Sequence, residues 1–166
     1  MELVPYAAGD LWLTEALEGD PEVMRELGGP QPKEKIPVIH ERRLGHVARG
    51  AWYFKIVPDA ATGAVGTIGV WNTEWKGEKI SEMGWMVLPA FQGRGLASAA
   101  VRSLLDRARA EKRFATAHAF PGAANGASNA ICRKAGFTRL EQCDLDYHGR
   151  PLRCNHWRLD LSLARI

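Results

Sequence analysis

Residues 84 to 101 read GWMVLPAFQGRGLASAAV. The first half is apolar and aromatic and stops at Pro89, as a strand does. From Leu96 onward the texture changes. Leu96, Ala97, Ala100, Val101, Leu104, Leu105 and Ala108 recur at helical spacing, with Arg and Asp between them. Strand and helix are joined by Gln92, Gly93, Arg94, Gly95, Leu96 and Ala97. Glycines let such a turn aim several N–H groups one way. The helix start adds unpaired donors and the positive end of its dipole. This predicts a cradle for a phosphate or pyrophosphate, with Arg94 adding charge and Ala97 leaving room.

Two common phosphate binders are excluded at once. No Gly-Lys-Ser/Thr follows, so this is not a P-loop. The order G-R-G-L-A-S breaks the dinucleotide fingerprint, and no strand-end carboxylate follows about 20 residues on. By itself the stretch also fits a plain strand-to-helix turn containing two glycines.

Upstream, AWYFKIV, GAVGTIGVWNTEW and KISEMGWMVL read as three strands of an antiparallel meander. The first fifty residues read as helical and irregular. Asp10 is placed to cap a helix over LWLTEALEG, Pro21 to open one over PEVMRELGG, and a third spans about Ile36 to Val47. Downstream of the long helix, FATAHAF reads as a short strand parallel to KISEMGWMVL, across a crossover. A short helix, ASNAICRKA, ends at Gly136, and strands FTRLEQCDLD and PLRCNHWRLDL follow, joined near His148, Gly149 and Arg150. The expected class is therefore α+β: a mixed, mostly antiparallel twisted sheet with one parallel crossover, flanked by helices. One domain covers residues 1–166, with a helical acceptor-side region at 1–50 and the sheet at 51–161.

A second informative stretch, PGAANGASN, precedes the short helix. Asn125 and Ser128 there are natural capping residues, and an Asn amide at a splayed strand end also suits a peptide-like ligand. Taken together, the two stretches resemble the GNAT superfamily of acetyl-CoA-dependent N-acetyltransferases. Its pyrophosphate motif, Q/R-x-x-G-x-G/A, is met by Gln92 to Ala97. Its later pattern, N-x-x-S and then K-x-G-F, is met by Asn125, Ser128, Lys134, Gly136 and Phe137. The resemblance spans about residues 51 to 161.

The resemblance implies a GNAT-like acyl-CoA N-acyltransferase fold and transfer of acetyl from acetyl-CoA to a primary amine, by direct attack in a ternary complex. It implies that the backbone of Met86, Val87 and Leu88 binds pantetheine as an added strand would. The amides of Gly93, Arg94, Gly95, Leu96 and Ala97 would hold the pyrophosphate, and Asn125 and Ser128 would lie along the pantetheine arm.

Attack needs a neutral amine, so a general base is expected. Glu82, in the strand leading to the cradle, is the first choice; an outward charge on a strand is its other reading. His118, near the end of the parallel strand, is the second choice, and a satisfied half-buried histidine is its other reading. The oxyanion is assigned to a backbone N–H near Val87 or Leu88. Relatives place a tyrosine four residues before the Gly-Phe pair to protonate the departing thiolate. Here that position is Cys132, either a substitute acid or a buried thiol. Tyr147, Ser128 or water could take its place. Trp71, Asn72, Glu74 and Trp75 either line an acceptor cleft or serve packing.

Composition sets outer bounds. With 46% hydrophobic and 25% charged residues the chain is neither disordered nor fibrous. Its net charge of +3 is spread rather than gathered, which argues against nucleic acid and suits an anionic small ligand. Cys132, Cys143 and Cys154 are far apart and form no C-x-x-C, so no metal is expected. MELVPYAAGD lacks the form of a secretory signal and no apolar run is long enough to span a bilayer, so a cytoplasmic protein without membrane contact is expected. Its partners would be acetyl-CoA and an amine, as monomer or homodimer. Peptide and protein amines, polyamines and amino-sugar antibiotics stay open as acceptors. A non-catalytic acyl-CoA-binding sensor is the alternative function.

Overall fold

The computed structural model describes residues 1–162. The chain enters the sheet immediately with β1 (Glu2–Pro5), antiparallel to β2 (Trp52–Val57). This strand was not expected. Four residues are too few to show a period, and Pro5 closes the strand at the sheet edge, where a missing N–H is tolerated. Between β1 and β2 lie α1 (Leu11–Glu18) and α2 (Ile36–Ala48). Asp10 precedes α1, yet its carboxylate does not cap the helix. It takes the Ala7 N–H at 2.7 Å and the Lys55 ammonium at 2.9 Å instead. The helix expected over PEVMRELGG tightens only to a 3-10 turn at Arg25–Leu27. Gly28 ends it in the left-handed region at φ 85°, and Met24, fully buried, anchors it.

The meander forms as expected: β2, β3 (Gly66–Trp75) and β4 (Glu78–Val87) pair antiparallel in sequence order. A 3-10 turn at Pro89–Phe91 leads into the cradle and α3 (Leu96–Glu111). Then come β5 (Thr116–Ala119), α4 (Gly126–Lys134), β6 (Thr138–Asp146) and β7 (Pro151–Asp160). The sheet order is β1-β2-β3-β4-β5-β7-β6, with β4 and β5 parallel and every other pair antiparallel. Among the described residues no helix is long and apolar enough to cross a membrane.

Alternation along the strands sorts the two faces. Trp52, Phe54, Ile56, Ile68, Val70, Met83 and Val87 share a core with Ala100, Val101, Leu104, Leu105 and Ala108 of α3. That stripe of α3 is the periodic set expected, and all five are 0% exposed. Each such leucine contributes about 1.5–3 kcal/mol through burial. The opposite face carries Tyr53, Trp71 and Glu82, with Arg43 of α2 lying over the Tyr53 ring.

Candidate active site

Two features of the backbone make the site. The first is the cradle. Gly93 and Gly95 adopt φ of 71° and 75°, the left-handed region that costs glycine nothing. Gly95 is the N-cap of α3, and no side chain caps that helix. Ala99 donates to Gly95 O at 2.9 Å, but among the described residues no backbone carbonyl receives the amides of residues 93–98. Gln92, Gly93, Arg94 and Gly95 are exposed. A run of free donors at the positive end of a 16-residue helix, with no acid in its first turn, fits a diphosphate. Arg94 rests its guanidinium over Phe91 at 5.3 Å, beside the loop. Gln92 points back: its Nε2 donates to Val87 O at 2.9 Å and ties the loop to the end of β4.

The second feature is a split in the sheet. β4 and β5 pair at a single register position, Glu82 with His118. β5 ends at Ala119 while β4 runs on to Val87, leaving that edge of β4 without a partner strand. The Leu88 N–H is engaged by Val65 O at 2.9 Å. Strand alternation then turns Met86 toward β3 as well, and leaves Trp85 and Val87 facing the open edge. Of Met86, Val87 and Leu88, the structure thus leaves Val87 turned toward the slot and adds Trp85. Period-two alternation was the signal available for this.

On the far side of the slot Asn125 caps α4, its Oδ1 accepting the Ser128 N–H at 3.0 Å. Its Nδ2 stays available to a ligand. Ser128 is half-buried in the first turn.

The three side chains proposed for proton transfer land in different settings. Glu82 lies on the face of β4 turned away from α3, where burial pushes its carboxyl up to about 7 and a hydrogen bond from Trp71 pulls the other way. Trp71 stacks on Tyr53 with centroids 5.6 Å apart and planes at 20°. His118 sits beside Glu82 in register, but its ring is turned to β7. Its Nδ1 meets His156 Nε2 at 2.8 Å and its Nε2 meets Thr116 Oγ1 at 3.3 Å. Burial first, then His156, holds His118 down at about 4. Phe120 stacks on His156 at 4.5 Å, closing the pair. Cys132 is 0% exposed within the hydrophobic core, and burial pushes its thiol up to about 12. As an acid for a departing thiolate it is enclosed by its neighbours. Here the packing reading describes the residue.

Trp71, Asn72, Glu74 and Trp75 do not form one wall. Alternation divides them: Trp71 joins Tyr53, Trp75 packs on Phe120 at 5.0 Å, and Asn72 and Glu74 are exposed. Among the described residues no group of three His, Cys, Asp or Glu side chains could hold a metal.

A buried polar cluster on the same face of the sheet as Glu82 was not expected from the sequence. Glu18, 0% exposed, pairs with the buried Arg43, and the Tyr147 hydroxyl donates to Glu18 Oε1 at 3.3 Å. Burial, then Glu18, raises the Tyr147 phenol well above its usual range, so it holds its proton. The signal was present in α1: Leu13, Thr14, Leu17 and Glu18 are its buried residues, and a carboxylate on a buried stripe demands a partner.

A mixed sheet that splits beside a helix tip of free amides is the framework of an acyl-CoA-dependent N-acetyltransferase. The family model of the acetyltransferase (GNAT) domain matches residues 1–138, and the chain belongs to that family. Among solved structures it is similar to spermidine N-acetyltransferase from Vibrio cholerae in complex with CoA and spermine, at 18% identity. That match covers 97% of this chain and 95% of the other, with a TM-score of 0.77. An acetyltransferase from Agrobacterium tumefaciens is 23% identical over 95% and 88% of the two chains, with a TM-score of 0.75. Ribosomal-protein-S5-alanine acetyltransferase from Vibrio fischeri is 15% identical over 96% and 92%, with a TM-score of 0.76. At these identities the likeness is one of fold. No curated protein matches the chain.

Proposed function

We propose that this chain transfers the acetyl group of acetyl-CoA to a primary amine of a small molecule or peptide, with Glu82 as general base. The observation that carries the reading is the run of unpaired amides at residues 93–98, placed beside the open edge of β4. Bound there, acetyl-CoA supplies the thioester carbonyl that the amine attacks.

Everything else falls to this chain. The cradle amides take the diphosphate, and the edge of β4 at Trp85 and Val87 holds the arm in the slot as a strand would. A backbone N–H of that edge faces the thioester oxygen as charge develops on it. Glu82, ionised in about half of the molecules near pH 7, accepts the ammonium proton of the incoming amine. With Tyr53 covered by Trp71 and Arg43, it is the Trp71 indole beside Glu82 that would meet an ammonium group before it gives up that proton. With Cys132 enclosed and the Tyr147 hydroxyl committed to Glu18, the proton for the leaving thiolate comes from water.

Carboxylates on this face are largely compensated: Glu18 by Arg43 and Asp10 by Lys55. Glu82 has no cationic partner among the described residues. A single amine beside an apolar or aromatic body therefore suits the cleft better than a chain of several cations. The test is an amine panel in which CoA release is followed with a thiol reagent. Turnover of monoamines or peptide N-termini at lower KM than polyamines supports the reading. Tight acetyl-CoA binding with no turnover across the panel would replace it with a sensor.

A further inference from the structure

Glycine weakens the interior of a strand, yet β3 and β4 set two of them side by side. Gly69 and Gly84 are in register with each other, and Gly69 is in register with Tyr53 of β2. A Cβ on Gly69 would stand 2.9 Å from Tyr53 Cδ2, and one on Gly84 would meet the Trp71 ring as closely. The two glycines leave a bare floor on the face turned away from α3. Two aromatic rings lie on it, Tyr53 over Gly69 and Trp71 over Gly84.

Tyr53 is boxed in. Arg43 of α2 lies over its ring at 5.7 Å, Tyr6 tilts against it at 5.8 Å, and Trp71 stacks on it at 5.6 Å. Arg43 is itself fixed: its guanidinium pairs with the buried Glu18 and donates to Thr14 Oγ1 at 3.3 Å, both on α1. Trp71 stands directly opposite Glu82 in the β3–β4 register. Among the described residues, Trp71 is the hydrogen-bond partner of the Glu82 carboxyl. Contacts thus run without a break from the Glu18–Arg43 pair, through two rings, to that carboxyl.

We propose that Tyr53 and the Glu18–Arg43 pair are positioning residues for Glu82, clamping the Trp71 indole so that its N–H is aimed at the carboxylate. The role rests on Glu82 being the general base. It gives the buried ion pair a task that stability does not explain, since such a pair gains little over well-packed apolar side chains. It also couples α1 and α2 to proton transfer through the two intervening rings.

The test follows the carboxyl itself. The full chain, carrying isotope-labelled glutamate, is titrated by NMR, and the Glu82 signal is identified by its loss in Glu82→Gln. Trp71→Phe keeps a ring against Tyr53 but removes the N–H. The midpoint should rise from about 7 by about one pH unit, the scale of one hydrogen bond to a charged group. Tyr53→Leu leaves the indole unclamped. Its midpoint should rise in the same direction, and kcat should fall roughly 10–100-fold with the KM for acetyl-CoA unchanged. Tyr53→Phe restores the ring and should rescue both. Arg43→Lys keeps the charge that Glu18 needs and loses the flat guanidinium, so it should raise the midpoint by a smaller step. It carries the test if Tyr53→Leu does not fold. A merely structural role would lower the melting temperature of these variants and leave the midpoint where it was. A native midpoint in Tyr53→Leu or in Arg43→Lys, or a shift in Tyr53→Phe as large as that in Tyr53→Leu, overturns the proposal. The NMR midpoint reports the placement of the carboxyl whether or not it is the base. A pH–rate profile of the native chain that ignores this midpoint would instead overturn the base reading, so the two failures are distinguishable.

Discussion

At the scale of a single residue, Glu82 holds the balance between stability and chemistry. Burial raises its carboxyl to about 7, against the Trp71 hydrogen bond. A base must be ionised to accept a proton, so kcat/KM for a good amine should rise with pH through about 7. Glu82→Gln should lower kcat by about 10²–10⁴-fold and leave the KM for acetyl-CoA nearly unchanged. The linkage runs the other way for stability. The folded-state pKa lies above the unfolded value, so the native protein holds the extra proton in between, and stability falls as pH rises across that window. Below the ordinary carboxylate pKa of about 4.3 the cost is absent; above about 7 it is complete. Glu82→Gln should therefore melt higher than the native chain at pH 8 and match it at pH 4. A variant with full activity would move the base elsewhere.

At the scale of the element, β4 is shaped by what crosses it. A Cβ on Gly84 would stand 2.8 Å from Trp71 Cη2, so the glycine exists to let the indole lie flat across the strand. Gly84→Ala should cost about 1–3 kcal/mol of stability, as overpacking does, and reduce kcat, since Trp71 bonds Glu82 and stacks on Tyr53. Gly93→Ala makes a contrast. Nothing lies within 4 Å of its Cβ position, so only the left-handed φ of 71° is strained, at about 1 kcal/mol, and kcat should hardly change. Denaturant midpoints with parallel kinetics on both variants separate packing from backbone strain. The same distinction explains what could be read from residue order. Gly93, Gly95 and the stripe of α3 were legible because a left-handed turn and a 3.6-residue period are local. The Glu18, Arg43 and Tyr147 cluster was not, since its members lie 25 and 129 positions apart and meet only when α1, α2 and the last hairpin close on one face. The setting of His118 was hidden for a related reason: its two readings could not be separated from residue order, because the partner of its ring, His156, comes 38 residues later on β7.

For the whole molecule, the consequence is a sheet in two parts. Strands β1 to β4 form an antiparallel unit, β5, β7 and β6 another, and one register pair joins them beside the α3 core. A ligand that lies in the split and is gripped by α3 touches groups that come together only in the native state, so it should stabilise the fold by mass action. At 100 times its Kd, acetyl-CoA should add about 2.7 kcal/mol, which for a chain of this size raises the melting temperature by roughly 5–10 °C. Gly95→Glu isolates the cradle within that effect. Its Cβ position is open, so the fold should survive with a loss of about 1 kcal/mol for the left-handed φ of 75°. The added carboxylate, however, sits where the diphosphate is proposed to lie, against the same free amides. The variant should melt within a few degrees of the native chain without ligand, and its shift with acetyl-CoA should vanish. If the shift survives, the helix tip does not hold the diphosphate, and the amides of residues 93–98 need another partner.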